Sequence, residues 1–219
     1  MDMFDIILYD LDGTLTDPKE GITKSVQYAL RYFGIEEEDL SKLEPFIGPP
    51  LKEQFMEYCG FEEEKGEEAV WKYRERFSVD GWKENKIYPG VADMLRRLSQ
   101  EGKILAVASS KPTLFVDKIL DYFEITKYFT EVVGSEMDGS RTRKSDVIGE
   151  VFSRLRIDEE NKDRVVMIGD RKHDVIGAKE AGVASIGVTY GYGGYDELAG
   201  AHPDWIVNSV DELTELLLK

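Results

Sequence analysis

The segment Asp10-Leu11-Asp12-Gly13-Thr14 follows the apolar run Phe4, Ile6, Ile7, Leu8 and places two carboxylates just before a glycine. Acids in that position, next to a residue that lets the chain turn sharply, suit a strand end that handles a cation and an oxyanion. The spacing does not suit an EF-hand calcium loop, which needs glycine sixth and glutamate twelfth. Counted from Asp10, Gly13 is fourth and Gly21 is twelfth. The bland alternative is a surface turn with an Asx-type cap, but the buried strand, two carboxylates and glycine together favour a functional site.

Three other places carry chemistry of the same kind. Ser109-Ser110-Lys111-Pro112 follows the apolar run Ile104 to Ala108, where Ser109 is either a hydroxyl donor to an anion or a helix cap. Lys144 stands just before the helical apolar positions Val147, Ile148, Val151 and Phe152, with Arg141 and Arg143 as rival cations. Gly169-Asp170 ends an apolar run from 164 to 168, and Asp174 comes four residues after Asp170. Two acids so placed need a cation, unless they only enrich a helix N-terminus. Ligands gather beyond the carboxyl ends of strands in an open parallel sheet. The four places converge only if the rest of the chain builds such a sheet.

The element pattern predicts one. From Tyr88-Pro89-Gly90 onward, helices and short buried strands alternate: helix 91–101, strand 104–108, helix 113–123, strand 129–133, helix 145–156, strand 164–168, helix 174–181, strand 183–188. Trp205 to Val207 and a helix from Val210 to Leu218 close the chain. Such alternation implies right-handed crossovers and a mainly parallel sheet with helices on both faces, an α/β fold. Between the first strand and the rest, residues 16–86 predict a strandless helical bundle. Pro18 opens it, and Ile22, Val26, Ala29, Leu30 and Phe33 recur with helical spacing. Leu51, Phe55, Met56 and Cys59 form a second apolar stripe; Val70, Trp71, Arg74 and Phe77 form a third.

The 219 residues carry 28 basic and 44 acidic side chains, a net charge of -16 that repels nucleic acid and anionic membranes. An anionic substrate therefore needs a local cationic pocket. The single cysteine, Cys59, allows no intrachain disulfide, and no apolar run approaches the ~18 residues of a membrane span. The expectation is a cytoplasmic protein with neither nucleic-acid nor membrane partner, a monomer or weak homodimer.

Taken together, Asp10-Leu-Asp12-Gly-Thr14, Ser109, Lys144 and Gly169-Asp170 with Asp174 resemble the four motifs of the haloacid dehalogenase superfamily. The match is to its phosphatases with a helical cap, near the phosphoglycolate phosphatase and bacterial 5'-nucleotidase branch. The resemblance implies a Rossmann-like core of residues 1–15 and 87–219 and a cap of 16–86. It also implies hydrolysis of a small phosphate ester through an aspartyl-phosphate, with Asp10 as nucleophile and Asp12 as general acid and base. Ser109, Ser110 and Lys144 would bind phosphate. Mg2+ would be held by Asp10, Asp170, the Asp12 backbone carbonyl and, directly or through water, Asp174.

Lys52, beside Gly48-Pro49-Pro50, is a candidate substrate contact, and Tyr28, Tyr32, Phe46 and Tyr58 are candidate stacking surfaces that could instead be core. His173 matches no motif position. Tyr190 to Tyr195, Y-G-Y-G-G-Y, fits no phosphate-loop pattern and is expected to be a flexible loop at the site mouth. A dehalogenase is disfavoured by Asp12. A sugar phosphomutase of the β-phosphoglucomutase type is disfavoured because His173 and His202 are the only histidines and neither lies in the cap linker. A phosphoaccepting regulatory module of the receiver type is disfavoured by the helical insertion.

Overall fold

The computed structural model describes residues 4–219. The chain forms two compact units, one made of the chain up to Asp17 together with Ile87–Lys219, the other of Pro18–Lys86. The strands are β1 (Ile6–Tyr9), β2 (Thr16–Asp17), β3 (Lys86–Ile87), β4 (Ile104–Pro112), β5 (Glu131–Ser135), β6 (Val165–Gly169), β7 (Ala184–Val188) and β8 (Trp205–Val207). Six of them form one parallel sheet in the order β5-β4-β1-β6-β7-β8. β1 lies at the centre, with Ile6 in register with Ile104 of β4 and with Val165 of β6. This is the doubly wound, Rossmann-like order, whose topological switch point gathers ligands at the strand ends.

β1 can sit centrally because all four of its residues are buried, as a strand covered on both faces requires. Ile6 and Leu8 join Ala106, Ala108, Val133, Val165 and Met167 in a core closed by Val147, Ile148, Val151 and Phe152. Those last four lie on a helix that begins at Lys144. Burying each such side chain contributes about 1.5–3 kcal/mol, and this sets the end of β1 rigidly.

The helical unit holds α1 (Lys19–Tyr32), α2 (Leu51–Cys59) and α3 (Glu63–Arg76), with a 3-10 segment at Leu40–Phe46 and a π turn at Phe77–Gly81. Ile22, Val26, Ala29 and Leu30 of α1 are buried as their spacing predicts. The third predicted stripe is corrected. Ala69, Tyr73 and Phe77 face inward while Trp71 is 66% exposed, because at about 100° per residue it lies roughly opposite Ala69 and Tyr73. Phe46 is core, packed 4.9 Å from Phe55, whereas Tyr28, Tyr32 and Tyr58 are exposed. The two-residue strands β2 and β3 at the ends of this segment also depart from the strandless expectation.

The other helices of the core unit are α4 (Val91–Gln100), α5 (Thr113–Tyr122), α6 (Lys144–Leu155), α7 (Lys172–Ala181), α8 (Gly194–Ala201) and α9 (Val210–Leu217). Two differences from expectation matter for the site. β4 runs on to Pro112, with a register shift between Ala108 and Pro112, and such irregularities re-aim side chains. α8 begins within the predicted Tyr190–Tyr195 loop. Among the described residues no helix is long and apolar enough to cross a membrane.

Candidate active site

Four chain segments deliver charged side chains to one end of the sheet. Asp10 comes directly after β1, and its amide donates to the Ile168 carbonyl of β6 at 2.9 Å. Lys144, the first residue of α6, donates from Nζ to Asp10 Oδ1 at 2.9 Å and to the Ala108 carbonyl of β4 at 2.9 Å. The same ammonium lies 2.8 Å from Asp174 Oδ1. Asp174 Oδ2 in turn accepts the Arg171 amide at 3.1 Å, so one side chain caps α7 and faces the cluster. Lys144 is thus the cation between Asp10 and Asp174; Arg143 pairs with Glu180 and Arg141 with Glu136.

Asp170, fully buried just past β6, accepts the Tyr192 amide at 2.7 Å and the Thr14 hydroxyl at 3.4 Å. Two glycines make that geometry possible. Gly13 has φ +84, and a Cβ there would lie 2.2 Å from Asp170 Oδ2; a Cβ on Gly191 would lie 2.4 Å from the same oxygen. Each would collide with the carboxylate, so the chain on both sides of Asp170 must be glycine.

Asp10, Asp12, Ser109, Lys144, Asp170 and Asp174 are each no more than 6% exposed. Charges buried that deeply are costly unless answered. Burial, then the nearby Asp174 and Asp10, push the Asp170 carboxyl well above the ordinary range. Burial pushes Asp174 up to about 6 against the pull of Lys144. Burial opposes the Lys144 ammonium, but Asp10 and Asp174 outweigh it and raise its pKa. Asp12 is raised by burial despite an ion pair with Lys111.

Asp10, Asp170 and Asp174 each offer a carboxylate oxygen, all within 4.8 Å of one another. Four carboxyl groups (Asp10, Asp12, Asp170, Asp174) face two ammoniums (Lys111, Lys144), so full ionisation of the acids leaves a deficit of positive charge that a divalent cation would fill. An all-oxygen donor set with that deficit fits a hard divalent ion.

The profile of the haloacid dehalogenase-like hydrolases matches residues 7–188. The chain belongs to the haloacid dehalogenase-like hydrolases. It is similar to a 5'-nucleotidase of Pseudomonas aeruginosa, 47% identical and covering 96% of this chain and 94% of that one. It is also similar to tyrosine-protein kinase PtkA of Mycobacterium tuberculosis, 37% identical over 97% of this chain and 72% of the other. The crystal structure of a predicted phosphatase from Clostridium acetobutylicum superposes with TM-score 0.95 at 49% identity, covering 99% of each chain. This haloacid dehalogenase-like chain is an enzyme, a phosphatase.

In this haloacid dehalogenase-like core the structure brings together Asp10, Asp12, Lys144, Asp170 and Asp174. Ser109 lies buried on the β4 extension, where its hydroxyl accepts the Lys111 amide at 3.3 Å, and Ser110 is half-buried beside it. Ser109 is therefore a strand residue and no helix cap. Lys52 belongs to the helical unit, where its ammonium is held by Glu63 at 2.9 Å and Glu67 at 3.5 Å. His173 is half-buried on α7, its pKa lowered by burial and then Arg171.

Sequence reasoning missed Lys111, Thr14 and Tyr192. The signal for Lys111 was its position two residues after Ser109, since alternate residues of a strand share a face. The expected loop at Tyr190–Tyr195 is a turn at the site that runs into α8 at Gly194. Tyr190 donates its hydroxyl to the Thr14 carbonyl at 3.0 Å, and Tyr192 donates its amide to Asp170 and its hydroxyl to Asp17. Gly191 and Gly193 serve close approach to Asp170.

Proposed function

We propose that this phosphatase is a magnesium-dependent phosphomonoesterase that works through an aspartyl-phosphate on Asp10, with nucleoside monophosphates as its preferred substrate class. The observation that carries the reading is the placement of the Asp10 carboxylate. It is buried at the switch point, hydrogen-bonded to Lys144, and shares a cation-competent cluster with Asp170 and Asp174. The 47% likeness to a protein named 5'-nucleotidase supports the substrate class.

In this reading one Asp10 oxygen attacks phosphorus in line while the ester oxygen leaves, which splits a hard displacement into two easier ones. Asp12 gives the leaving oxygen its proton and then takes one from the water that cleaves the aspartyl-phosphate. Lys144 neutralises charge on Asp10 and on the phosphoryl group, and Ser109 with the Ser110 amide donates to phosphoryl oxygens. Mg2+ would be held by Asp10, Asp170, the Asp12 carbonyl and Asp174, where it supplies charge neutralisation for a dianionic ester. The helical unit acts as the cap that selects the leaving group, and Lys52 contributes to that selection.

The test is phosphate release with and without magnesium from nucleoside monophosphates, phosphoglycolate, sugar phosphates and p-nitrophenyl phosphate. Preference for nucleotides is expected, with Lys52→Ala raising KM for them and leaving p-nitrophenyl phosphate turnover unchanged. Preference for phosphoglycolate would overturn the substrate class. The likeness to PtkA favours a second reading, phosphoryl transfer to a protein tyrosine. Incubation with ATP and a tyrosine peptide separates the two: a phosphopeptide product supports transfer, free phosphate alone supports hydrolysis.

A further inference from the structure

Asp12 has two carboxylate oxygens, and the structure treats them differently. Oδ2 is engaged by the Lys111 ammonium, a side chain from the β4 extension 99 residues along the chain. Oδ1 is buried and has no hydrogen-bond partner. Lys111 and Asp12 are both deeply buried, with side-chain exposures of 7% and 9%. An unanswered buried acceptor is unusual in a folded protein, and a catalytic role is one of the explanations for it; here the engaged Oδ2 beside it supplies the asymmetry. An ammonium has donors and no acceptor, so Lys111 fixes the carboxyl group through Oδ2 whether or not Oδ1 carries a proton.

We propose that Lys111 is a positioning residue for Asp12, pinning Oδ2 so that Oδ1 is the oxygen that exchanges protons during hydrolysis. The proposal rests on the phosphomonoesterase reading of Asp10 and Asp12. In the first half-reaction an Asp10 oxygen forms its bond to phosphorus. The phosphorus–ester bond breaks with its electron pair going to the ester oxygen, which takes the proton from Asp12 Oδ1. In the second, Oδ1 takes a proton from water as the water oxygen bonds to phosphorus, and the acyl-phosphate bond breaks with its electrons returning to the Asp10 carboxylate. In these steps the part of Lys111 is to set the angle at which Oδ1 meets substrate and water. The bulged register of β4 after Ala108 brings Lys111 to this position.

The test measures the first half-reaction by rapid mixing for two kinds of ester. p-Nitrophenolate departs without a proton, whereas the alkoxide of a nucleoside monophosphate needs one, and general acid catalysis is worth roughly 10²–10⁴-fold. Lys111→Met is expected to slow phosphoryl transfer from the nucleotide by about 10²-fold or more, and that from p-nitrophenyl phosphate by less than about 10-fold. Lys111→Arg should recover part of the loss, since it restores a cationic donor to Oδ2. Equal slowing of both esters in Lys111→Met and Lys111→Arg, or no slowing of either, would overturn the proposal. If Lys111→Met fails to fold, the two-ester comparison in Lys111→Arg and Lys111→Gln decides it, with arginine expected to be the less selective of the two. Asp10→Asn and Asp12→Asn run alongside: loss of turnover in both, with the leaving-group effect absent in Lys111→Met, refutes the positioning role alone. Full activity in Asp10→Asn refutes the underlying reading.

Discussion

In the core unit, Asp10, Asp12, Lys144, Asp170 and Asp174 are all buried at one end of the sheet. Among the described residues of the helical unit the buried polar side chains are Thr23 and Ser25, each bonded at 2.7 Å to a carbonyl four residues back in its own helix. The helical unit keeps charges at its surface, in pairs such as Lys24 with Glu20 and Lys72 with Glu75, and Arg76 with Glu84 is only partly buried. Surface pairs contribute about 0–1 kcal/mol each, so that face can change residue by residue at little cost. Breaking a buried pair costs about 3–5 kcal/mol. The costly charges are thus gathered in the core unit, and the cheap ones lie on the helical unit.

The largest expected effect is on Asp10. If Asp10 is the proposed nucleophile, Asp10→Asn should lower kcat by a factor on the order of 10⁵, as loss of a nucleophile does elsewhere; single-turnover phosphate release checks this. Lys144→Met should leave Asp10 and Asp174 unanswered and cost about 3–5 kcal/mol of stability in the metal-free protein, measured by urea unfolding. A loss below about 1 kcal/mol would show that the cluster tolerates bare charge and would erase the contrast between the units.

Asp170→Asn sharpens it from the other side. The raised Asp170 pKa means that the unfolded chain releases this proton at lower pH than the folded chain does. Stability therefore falls as pH rises from the ordinary aspartate value upward. The substitution removes that burden: the metal-free melting temperature at pH 7 should rise by about 2–4 °C, while the magnesium needed for half-maximal activity increases at least ~10-fold. A fall in metal-free melting temperature would mean that the carboxylate stabilises the fold.

The smallest effect lies in the helical unit. Glu84 is held below the ordinary glutamate pKa chiefly by Arg76, which donates to it at 2.7 and 2.9 Å. Its contribution is present above the unfolded value and disappears as pH falls through the lowered folded value. Glu84→Gln should cost about 1 kcal/mol at pH 7, with the gap to wild type closing below pH ~4, and hydrolysis of p-nitrophenyl phosphate should stay at the wild-type rate. Melting curves across pH 3–8 and one kinetic assay decide it.

Much of the core was legible because its signals are local. The apolar runs at Ile6–Leu8 and Ile104–Ala108 could only be buried strands, and Asp10, Asp170 and Lys144 stand directly at element boundaries. Trp71 was misplaced because four apolar or amphipathic residues in fourteen do not define one helix face when charged residues fill the rest. The contacts of Lys111 and of the Tyr190–Tyr195 turn were missed because their partners, Asp12 and Asp170, are far away in sequence.

By itself, then, the sequence determined the alternation that builds a parallel sheet, the helical insertion, and the residue types at each strand end, since these follow from periodicity and burial over short windows. Only the tertiary structure decided which charges meet: that Lys144, and neither arginine beside it, reaches Asp10 and Asp174, that Lys111 takes one oxygen of Asp12, and that glycines close on Asp170 from two sides. Such pairings depend on strand order and register, and a difference of a few ångströms there decides whether a buried charge is answered or alone.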